Sequence, residues 1–274
     1  MKLAAITGCD SGIGESLCKI FIRQGYTVII SYLEKNPFDK DPSVQAIRLD
    51  LRNEHQIEIF TETVSSYCDR GYNLEYFINN AGVAMGGPFE NIPLEVYRTI
   101  FEINFFGLIS VTRKILPALI KSHGRLVING SMAGRVALPF LSPYVSTKYA
   151  LEGWCDSIRR ELRPFGIRTI ILEPGGIATP IWSRALEQDY SFADKKYETS
   201  IQSFKKNFIA AGTRGMNVDK AARLIYRFIT RHRPGARYIV SQNRLISFLE
   251  TLIPGWLLDM LVIRMFSMYY GGIV

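Results

Sequence analysis

The feature that most constrains the fold is a glycine-rich turn directly after a short apolar segment at the start of the chain. Residues 2–6 (KLAAI) have the composition of a strand buried on both faces, and residues 7–14 (TGCDSGIG) follow at once. In a strand–turn–helix unit of this kind, Gly8 permits the tight turn, Gly12 lets the backbone approach a pyrophosphate, and Gly14 permits close packing of the helix. The first N–H groups of that helix face the phosphates. The segment therefore predicts a dinucleotide-binding α/β fold.

Strand-like segments recur along the rest of the chain and alternate with helical ones, which is typical of a doubly wound fold. They read TVIIS, VQAIRLD, LEYFINNAG, RLVINGS, IRTIILEPGG and ARYIV. No segment has the composition of a linker, and 274 residues are enough to bury one large core. We predict one domain, residues 1–274, with a mostly parallel, seven-stranded Rossmann-like sheet, helices on both faces and a C-terminal apolar helical extension.

Charge and cysteine content narrow the class of protein. The formal charge of +8 is concentrated late in the chain, where Arg223 and Arg227 have the spacing of a solvated helix face or of a contact with an anionic membrane. No nucleic-acid recognition motif accompanies them, so no nucleic-acid partner is predicted. The four cysteines lie far apart without a CxxC pair, which predicts neither a metal site nor a disulfide framework. The start of the chain leaves no room for a cleavable signal peptide, so we predict a cytoplasmic protein. Peripheral contact with a membrane is the alternative location.

Tyr144 and Lys148 are the candidate acid–base pair. They stand four residues apart at the start of a predicted helix, so their side chains share one face. A lysine ammonium beside a tyrosine favours the phenolate and is expected to lower the tyrosine pKa. Ser131 ends a strand-like segment, at the sheet edge where ligands of open α/β folds bind, and its hydroxyl is suited to hold a substrate oxygen.

These pieces, together with the Asn-Asn-Ala-Gly turn at residues 79–82, resemble the short-chain dehydrogenase/reductase family, in its branch of ordinary length. The resemblance covers nearly the whole chain, and the wording TGCDSG is most similar to the retinol, hydroxysteroid and hydroxybutyrate dehydrogenase group. It implies hydride transfer between a nicotinamide cofactor and an alcohol or ketone. It also adds Asn104 to Ser131, Tyr144 and Lys148 as a fourth catalytic residue, which anchors a water between the lysine and solvent. A satisfied core amide is the alternative for Asn104.

The same resemblance implies a set of cofactor-binding residues. They are Gly8, Asp10, Ser11, Gly12, Ile13, Gly14, Tyr32, Leu33, Asp50, Leu51, Asn80, Ala81, Gly82, Tyr144, Lys148, Pro174, Gly175, Ile177 and Thr179. Asp50 and Leu51 match the position that holds the adenine ring, although Asp50 is also suited to cap the helix near residues 55–67. Pro174 and Gly175 match the turn beneath the nicotinamide.

Residues 32–35 give opposing indications for the choice between NAD and NADP. Tyr32 stands where an aspartate selects NAD, and Leu33 stands where an arginine often selects NADP. Glu34 is close to the usual spacing for a residue that binds the ribose, whereas Lys35 argues the other way. On balance the sequence favours NAD, with NADP as the alternative.

Two apolar regions suggest the substrate. Residues 181–213 lack strand character and mix aromatic with charged residues, as in the substrate lid that the resemblance implies. Residues 242–270 form the apolar extension, broken at Pro254 and too rich in charge for a membrane span, so we expect a helix that covers the cleft or lies on a membrane surface. With Val136–Leu141 and Trp182 these regions predict a bulky lipophilic alcohol or ketone.

Two alternatives to this enzyme are an NADPH-dependent carbonyl reductase of lipid or secondary metabolism and a non-catalytic dinucleotide-sensing protein of the same fold. The long helix near residues 94–120 and the one after Lys148 imply a homodimer by resemblance. The stripe of Leu151, Trp154 and Ile158 faces either that interface or the sheet.

Overall fold

The central element is a seven-stranded sheet in which every strand pair is parallel, as seen in a computed structural model that describes residues 1–268. Its strands, in chain order, are β1 Lys2–Ile6, β2 Thr27–Tyr32, β3 Val44–Arg48, β4 Asn73–Asn79, β5 Arg125–Asn129, β6 Arg168–Pro174 and β7 Arg237–Val240. The spatial order is β3-β2-β1-β4-β5-β6-β7. The predicted doubly wound, Rossmann-like sheet is confirmed.

Helices connect and cover these strands. They are α1 Gly12–Arg23, α2 Glu54–Asp69, α3 Leu94–Phe101, α4 Leu108–Lys121, α5 Ser142–Leu162, α6 Pro180–Glu187, α7 Glu198–Phe204, α8 Ala210–Thr213, α9 Val218–Ile229, α10 Arg244–Glu250 and α11 Gly255–Met265. A π-helical turn, Glu102–Gly107, joins α3 to α4. Two residues, Ile177–Ala178, pair with Met216–Asn217 beside the main sheet.

The side chains of β1 show why both sheet faces are covered. Ala4 and Ile6 point into a core with α1 and α9, whereas Leu3 and Ala5 point into a core with α2, α4 and α5. All four are fully buried. The short apolar run at the start of the chain thus serves two cores at once, because successive strand side chains alternate between faces.

The crevice between β1 and β4 forms where the chain reverses direction across the sheet. From β1 the chain winds outward through β2 to β3, and it then returns to pair β4 with the other side of β1. Loops at the carboxyl ends of β1 and β4 therefore diverge. This is the position at which open α/β sheets bind their ligands.

Residues 181–213 are mainly helical and form a third apolar cluster beside the sheet. Its buried members are Phe140, Ile201, Phe204, Ile209 and Phe266. Phe266 follows α11, so the end of the C-terminal extension packs against this region. The predicted break in the extension is confirmed, because α10 and α11 are separated at Pro254 and bent by 112°. The part of the predicted extension at residues 269–270 lies outside the described residues.

Two helical segments in the described part of the chain have the length and apolar composition that a membrane crossing requires. One is the continuous helix Leu94–Lys121, and the other is α10 with α11 if they are counted together. In the first, Val111, Ile115 and Leu119 are buried against the sheet. Its apolar side is therefore used by the core of the fold.

The structure corrects the predicted cap of α2 and shows which way the apolar stripe of α5 faces. The side chain of Asn53, not of Asp50, caps α2 by accepting a hydrogen bond from the Gln56 amide. Asp50 instead binds Arg52, which is two residues closer to the helix. On α5, Leu151 is buried against the sheet and Trp154 packs beside it, so this stripe faces the core.

Candidate active site

The glycine turn after β1 fits tightly against the turn after β4. Gly8 has φ of +69°, and a Cβ at this position would lie 2.6 Å from the Ala81 Cα. A Cβ on Gly14 would lie 2.3 Å from the Gly8 carbonyl oxygen. Side chains at these two positions would separate the turns. The predicted Asn-Asn-Ala-Gly turn thus packs against the glycine turn.

A small hydrogen-bond network fixes the two turns. The Thr7 hydroxyl accepts from the amides of Asn80 and Ala81, at 3.0 and 3.1 Å. The Asn80 side chain donates to the carbonyls of Thr7 and Gly8, and its own oxygen accepts from Asn129. Sequence reasoning missed Thr7. Its place directly before the first glycine, at the end of a buried strand, was the available signal.

The start of α1 is suited to an anion. Ser11 occupies the N-cap position without a side-chain hydrogen bond to the helix, so its hydroxyl does not occupy the amides of the first turn. Gly12 lies opposite Thr179, where a Cβ would come within 3.3 Å of the Thr179 Cγ2. Residues from β1, α1 and the segment before α6 therefore form one narrow cradle. It fits the pyrophosphate of a dinucleotide.

The loop after β2 is organised by Asp10. Its carboxylate accepts from the backbone amides of Leu33, Glu34 and Lys35, the closest being Glu34 at 2.7 Å. Glu34 is exposed and pairs with Arg184 of α6 at 3.1 Å. Two carboxylates thus lie around the predicted ribose position.

Asp50 and Leu51, the residues predicted to hold the adenine ring, follow β3. A hydrogen bond from Arg52 holds the pKa of Asp50 below its usual value. Leu51 is buried, and a Cβ on Gly107 would come within 2.3 Å of its carbonyl oxygen. The π-helical turn therefore packs directly against the backbone of Leu51.

Ser131, Tyr144 and Lys148 come together at the carboxyl edge of β5. Ser131 follows the strand and caps a short helical turn, and its hydroxyl accepts from the Ala133 amide at 3.0 Å. Tyr144 and Lys148 share one face of α5, with the Lys148 Nζ 5.6 Å from the centre of the Tyr144 ring. The Lys148 ammonium donates to the Asn129 carbonyl at 3.0 Å.

The pKa values of this group differ from the sequence-based expectation. Burial raises the pKa of Tyr144, and interaction with the Ser131 hydroxyl opposes that rise only in part. Burial also lowers the pKa of Lys148 to about 8, against a smaller opposing effect of Glu152. The expected lowering of the tyrosine pKa by lysine is therefore wrong for the chain alone, because burial of the phenol disfavours its charged form.

Asn104 is fully engaged with protein groups. It is buried in the π-helical turn, where its oxygen accepts from the Val83 amide and its nitrogen donates to the Val83 carbonyl, both at 2.9 Å. A further bond reaches the Thr147 hydroxyl of α5 at 3.2 Å. The alternative of a satisfied core amide describes these contacts, and a Cβ on Gly82 would lie 3.2 Å from its oxygen.

The segment after β6 contains the residues predicted to lie at the nicotinamide. Gly175 donates to the Val240 carbonyl at 3.0 Å, which ties the Pro174–Gly175 turn to β7. The Ile177 carbonyl accepts from the Trp182 indole at 2.7 Å, which ties this segment to α6. Thr179 occupies the N-cap position of α6 without a side-chain cap bond.

A charge cluster one helical turn beyond Lys148, with Glu152 and Glu173 as its buried members, escaped sequence reasoning. Its members come from α5, β6, β7 and the turn after β5, namely Glu152, Asp156, Glu173, Arg237 and Arg135. The signal in the sequence was Glu152, one helical turn beyond Lys148. Burial and Glu173 raise its pKa to about 7.

Comparison with known proteins decides the family. The profile of the short chain dehydrogenases matches residues 2–189. The chain belongs to this family. The uncharacterised oxidoreductase YusZ of Bacillus subtilis is 34% identical to this short chain dehydrogenase, over 92% of the present chain and 94% of YusZ.

Two further relatives cover nearly the whole chain. The NADPH-dependent 3-dehydrocapnine reductase of Ornithobacterium rhinotracheale is 30% identical, over 94% of this chain and 95% of the reductase. A short chain dehydrogenase from Burkholderia phymatum, solved in complex with NAD, has the same fold with a TM-score of 0.78. It is 18% identical and covers 95% of each chain. The present short chain dehydrogenase is thus an oxidoreductase of alcohols and ketones that uses a nicotinamide dinucleotide.

Proposed function

We propose that this short chain dehydrogenase interconverts a bulky lipophilic alcohol and its ketone. The observation that supports this proposal is the apolar cluster next to Ser131, Tyr144 and Lys148. Phe140 belongs to this cluster and stands four residues before Tyr144, and Leu141 packs there as well. Phe140 contacts Phe204 of the lid, with ring centres 5.5 Å apart. A substrate that reaches the tyrosine passes an aromatic wall, which favours apolar ligands.

The chain's own residues handle the proton and the oxygen. A bound nicotinamide dinucleotide supplies or accepts the hydride. In the oxidative direction Tyr144 takes the hydroxyl proton while Ser131 holds the oxygen. Lys148 would bind the ribose of a bound nicotinamide nucleotide and supply positive charge next to the phenol. Asn104 ties α5, which carries Tyr144 and Lys148, to the π-helical turn.

The cradle between α1 and Thr179 would hold the pyrophosphate, and the carboxylates near Leu33 favour NAD. Asp10 is already satisfied by three amides, and Glu34 accepts from Arg184. A 2′-phosphate placed beside these carboxylates would be repelled. The NADPH named for the reductase relative makes NADPH the second candidate, because Arg184 is exposed and able to turn toward a phosphate.

Replacing Tyr144 by phenylalanine tests the proposed role of the phenol. We expect Tyr144→Phe to lower kcat by at least ~10³-fold with a cofactor Kd within twofold of wild type, because the ring stays and only the proton donor is lost. Cofactor fluorescence gives Kd, and NADH oxidation with long-chain and cyclic ketones gives kcat. Tyr149→Phe, on the exposed side of the same helix, is the matched control.

The substrate and cofactor assignments have separate outcomes. A screen in which polar sugars turn over and lipophilic ketones do not would overturn the substrate class. Tighter binding of NADPH than of NADH would overturn the cofactor assignment. Wild-type-like turnover by Tyr144→Phe would remove the phenol from the reaction.

A further inference from the structure

The C-terminal helices α10 and α11, with the turn between them, expose many large apolar side chains. Neither helix contains a buried residue. Leu245 is 67% exposed, Leu252 is 62% exposed and Trp256 is 70% exposed. Other exposed members are Ile246, Phe248, Leu249, Met260, Leu261, Ile263 and Met265. Apolar patches of this extent on a folded protein mark surfaces that bind a protein or a membrane.

Exposed apolar side chains surround much of α11, and three of them form a stripe along one face. Trp256, Met260 and Ile263 have the spacing of one helix face, and Asp259 and Arg264 lie along its two edges. Both charged residues are exposed, so they are able to remain at a polar boundary while the stripe enters an apolar one.

Neither helix alone is long enough to cross a bilayer, and the bend between them prevents one straight crossing. α10 has seven residues and α11 has eleven, and their axes differ by 112°. A crossing needs about 20 residues in one direction. Helices with an exposed apolar face flanked by cationic residues are suited to lie in the plane of a membrane surface.

Arginines without acidic partners border the apolar surface. Arg244 begins α10 and lies over the Phe228 ring at 4.9 Å, and Arg231 lies over the same ring at 5.4 Å. Among residues 1–268, no carboxylate oxygen lies within 4.0 Å of the guanidinium groups of Arg231, Arg244 or Arg264. These groups are therefore available to bind anions.

We propose that α10 and α11 bind the surface of an anionic phospholipid bilayer. The stripe of Trp256, Met260 and Ile263 enters the boundary of the acyl chains, and Arg231 and Arg244 bind headgroup phosphates. Anionic headgroups pair with these cations wherever they lie on the surface, whereas a protein partner would need acidic residues at matching positions. An exposed tryptophan also prefers the membrane interface.

Contacts to the lid hold this surface on the body of the enzyme. Phe266, directly after α11, is fully buried with Phe204, at 5.5 Å between ring centres. The Asn207 amide donates to the Met265 carbonyl at 2.8 Å, and the Ser200 hydroxyl donates to the Ser267 carbonyl at 3.1 Å. Bilayer contact would therefore place the substrate lid beside the lipid surface.

Vesicle sedimentation of the full chain tests this inference without any substrate. The vesicles are phosphatidylcholine alone, or phosphatidylcholine with one third phosphatidylglycerol. We expect binding to the anionic vesicles, weakened by salt. Leu245→Ser with Trp256→Ser should lower the partition coefficient by at least ~10-fold, and Arg231→Gln with Arg244→Gln should lower it by about 25-fold on anionic vesicles.

Matched controls keep the result specific. Phe165 is 53% exposed on another part of the molecule, and Arg70 also lies over an aromatic ring, that of Tyr67. Phe165→Ser and Arg70→Gln should bind vesicles as the wild type does. Far-ultraviolet circular dichroism and cofactor Kd verify the fold of every variant.

Three outcomes would overturn the inference. These are the absence of vesicle binding by the wild type, equal binding by the Leu245→Ser/Trp256→Ser variant, and conversion of a wild-type dimer to a monomer by that variant without any vesicle binding. The last outcome would assign the surface to a second copy of the chain. None of the three depends on turnover, so they are independent of the proposed function.

Discussion

Glu152 shows how one buried residue couples the site to the stability of the molecule. Its Oε2 accepts from the Arg237 Nε at 3.0 Å, while its Oε1 is buried without a hydrogen-bond partner in residues 1–268. The charged groups around it are Glu173, Arg135, Arg237, Asp156 and Lys148. Burial and the neighbouring Glu173 raise its pKa from 4.5 to about 7. The folded protein therefore holds this proton to a higher pH than the unfolded chain does.

We predict that Glu152→Gln changes the pH dependence of the free energy of unfolding. Between pH 4.5 and pH 7 the folded wild type binds more protons than the unfolded chain, so this residue's contribution to stability falls as pH rises through that window. The glutamine does not titrate and still accepts from Arg237. Its stability relative to wild type should rise from pH 5 to pH 8 by up to about 3 kcal/mol.

Urea denaturation of both proteins at four pH values between 5 and 8 measures this difference. Glu161→Gln, an exposed change on the same helix, serves as the control and should keep the wild-type pH dependence. A stability difference between Glu152→Gln and wild type that stays constant over this range would contradict the assigned pKa.

At the scale of single residues, the sequence predicted the reactive residues well. It did not predict the charged and polar groups that surround them. Ser131, Tyr144 and Lys148 stand out in the sequence because their types and spacing carry the chemistry, and the structure brings them together. Thr7 and Glu152 act through contacts with residues far away in the chain. Periodicity and spacing do not report such contacts, so neither role was foreseen.

At the scale of elements, the contact between the glycine turn and the turn after β4 sets how closely α1 approaches the sheet. The pattern of glycines predicted this strand–turn–helix unit because each glycine has a steric reason. The π-helical turn was not predicted, since the apolar pattern of residues 94–120 is that of a single regular helix. In the structure the wider turn places Asn104 against Val83.

Gly14→Ala tests the close approach of α1. The added methyl would lie 2.3 Å from the Gly8 carbonyl oxygen and 2.6 Å from the Asn80 Nδ2, so the turns must separate. We expect a loss of about 1–3 kcal/mol of stability and a cofactor Kd raised at least ~10-fold, because the phosphate cradle widens. Urea denaturation and cofactor fluorescence measure the two effects.

Gly153→Ala is the matched control for this change. Gly153 is also helical, and a Cβ there meets nothing within 4 Å. That substitution should raise stability by up to about 1 kcal/mol through helix propensity alone. Equal effects of the two alanines on cofactor Kd would contradict the steric role of Gly14.

The whole molecule consists of a two-faced sheet with a smaller lid cluster attached beside it. The sheet was predictable because parallel strands carry continuous apolar runs and glycine turns. The position of the C-terminal extension was not predictable, because its residues are apolar on almost all sides and indicate no single buried face. Phe266 decides that position, as a fully buried side chain just beyond α11.

Phe266→Ala should release the extension from the lid while leaving the sheet intact. The cavity left among Phe140, Phe204 and Val262 costs about 3–5 kcal/mol in this small cluster, which has few other contacts to absorb the loss. We expect cleavage within residues 244–266 by a nonspecific protease to accelerate at least ~10-fold, with a cofactor Kd within twofold of wild type. Phe266→Leu, which keeps most of the apolar volume, should be cleaved at an intermediate rate. If the alanine variant instead lost cofactor binding together with protease resistance, the lid and the sheet would unfold as one unit, and the extension would be part of the core that holds the dinucleotide.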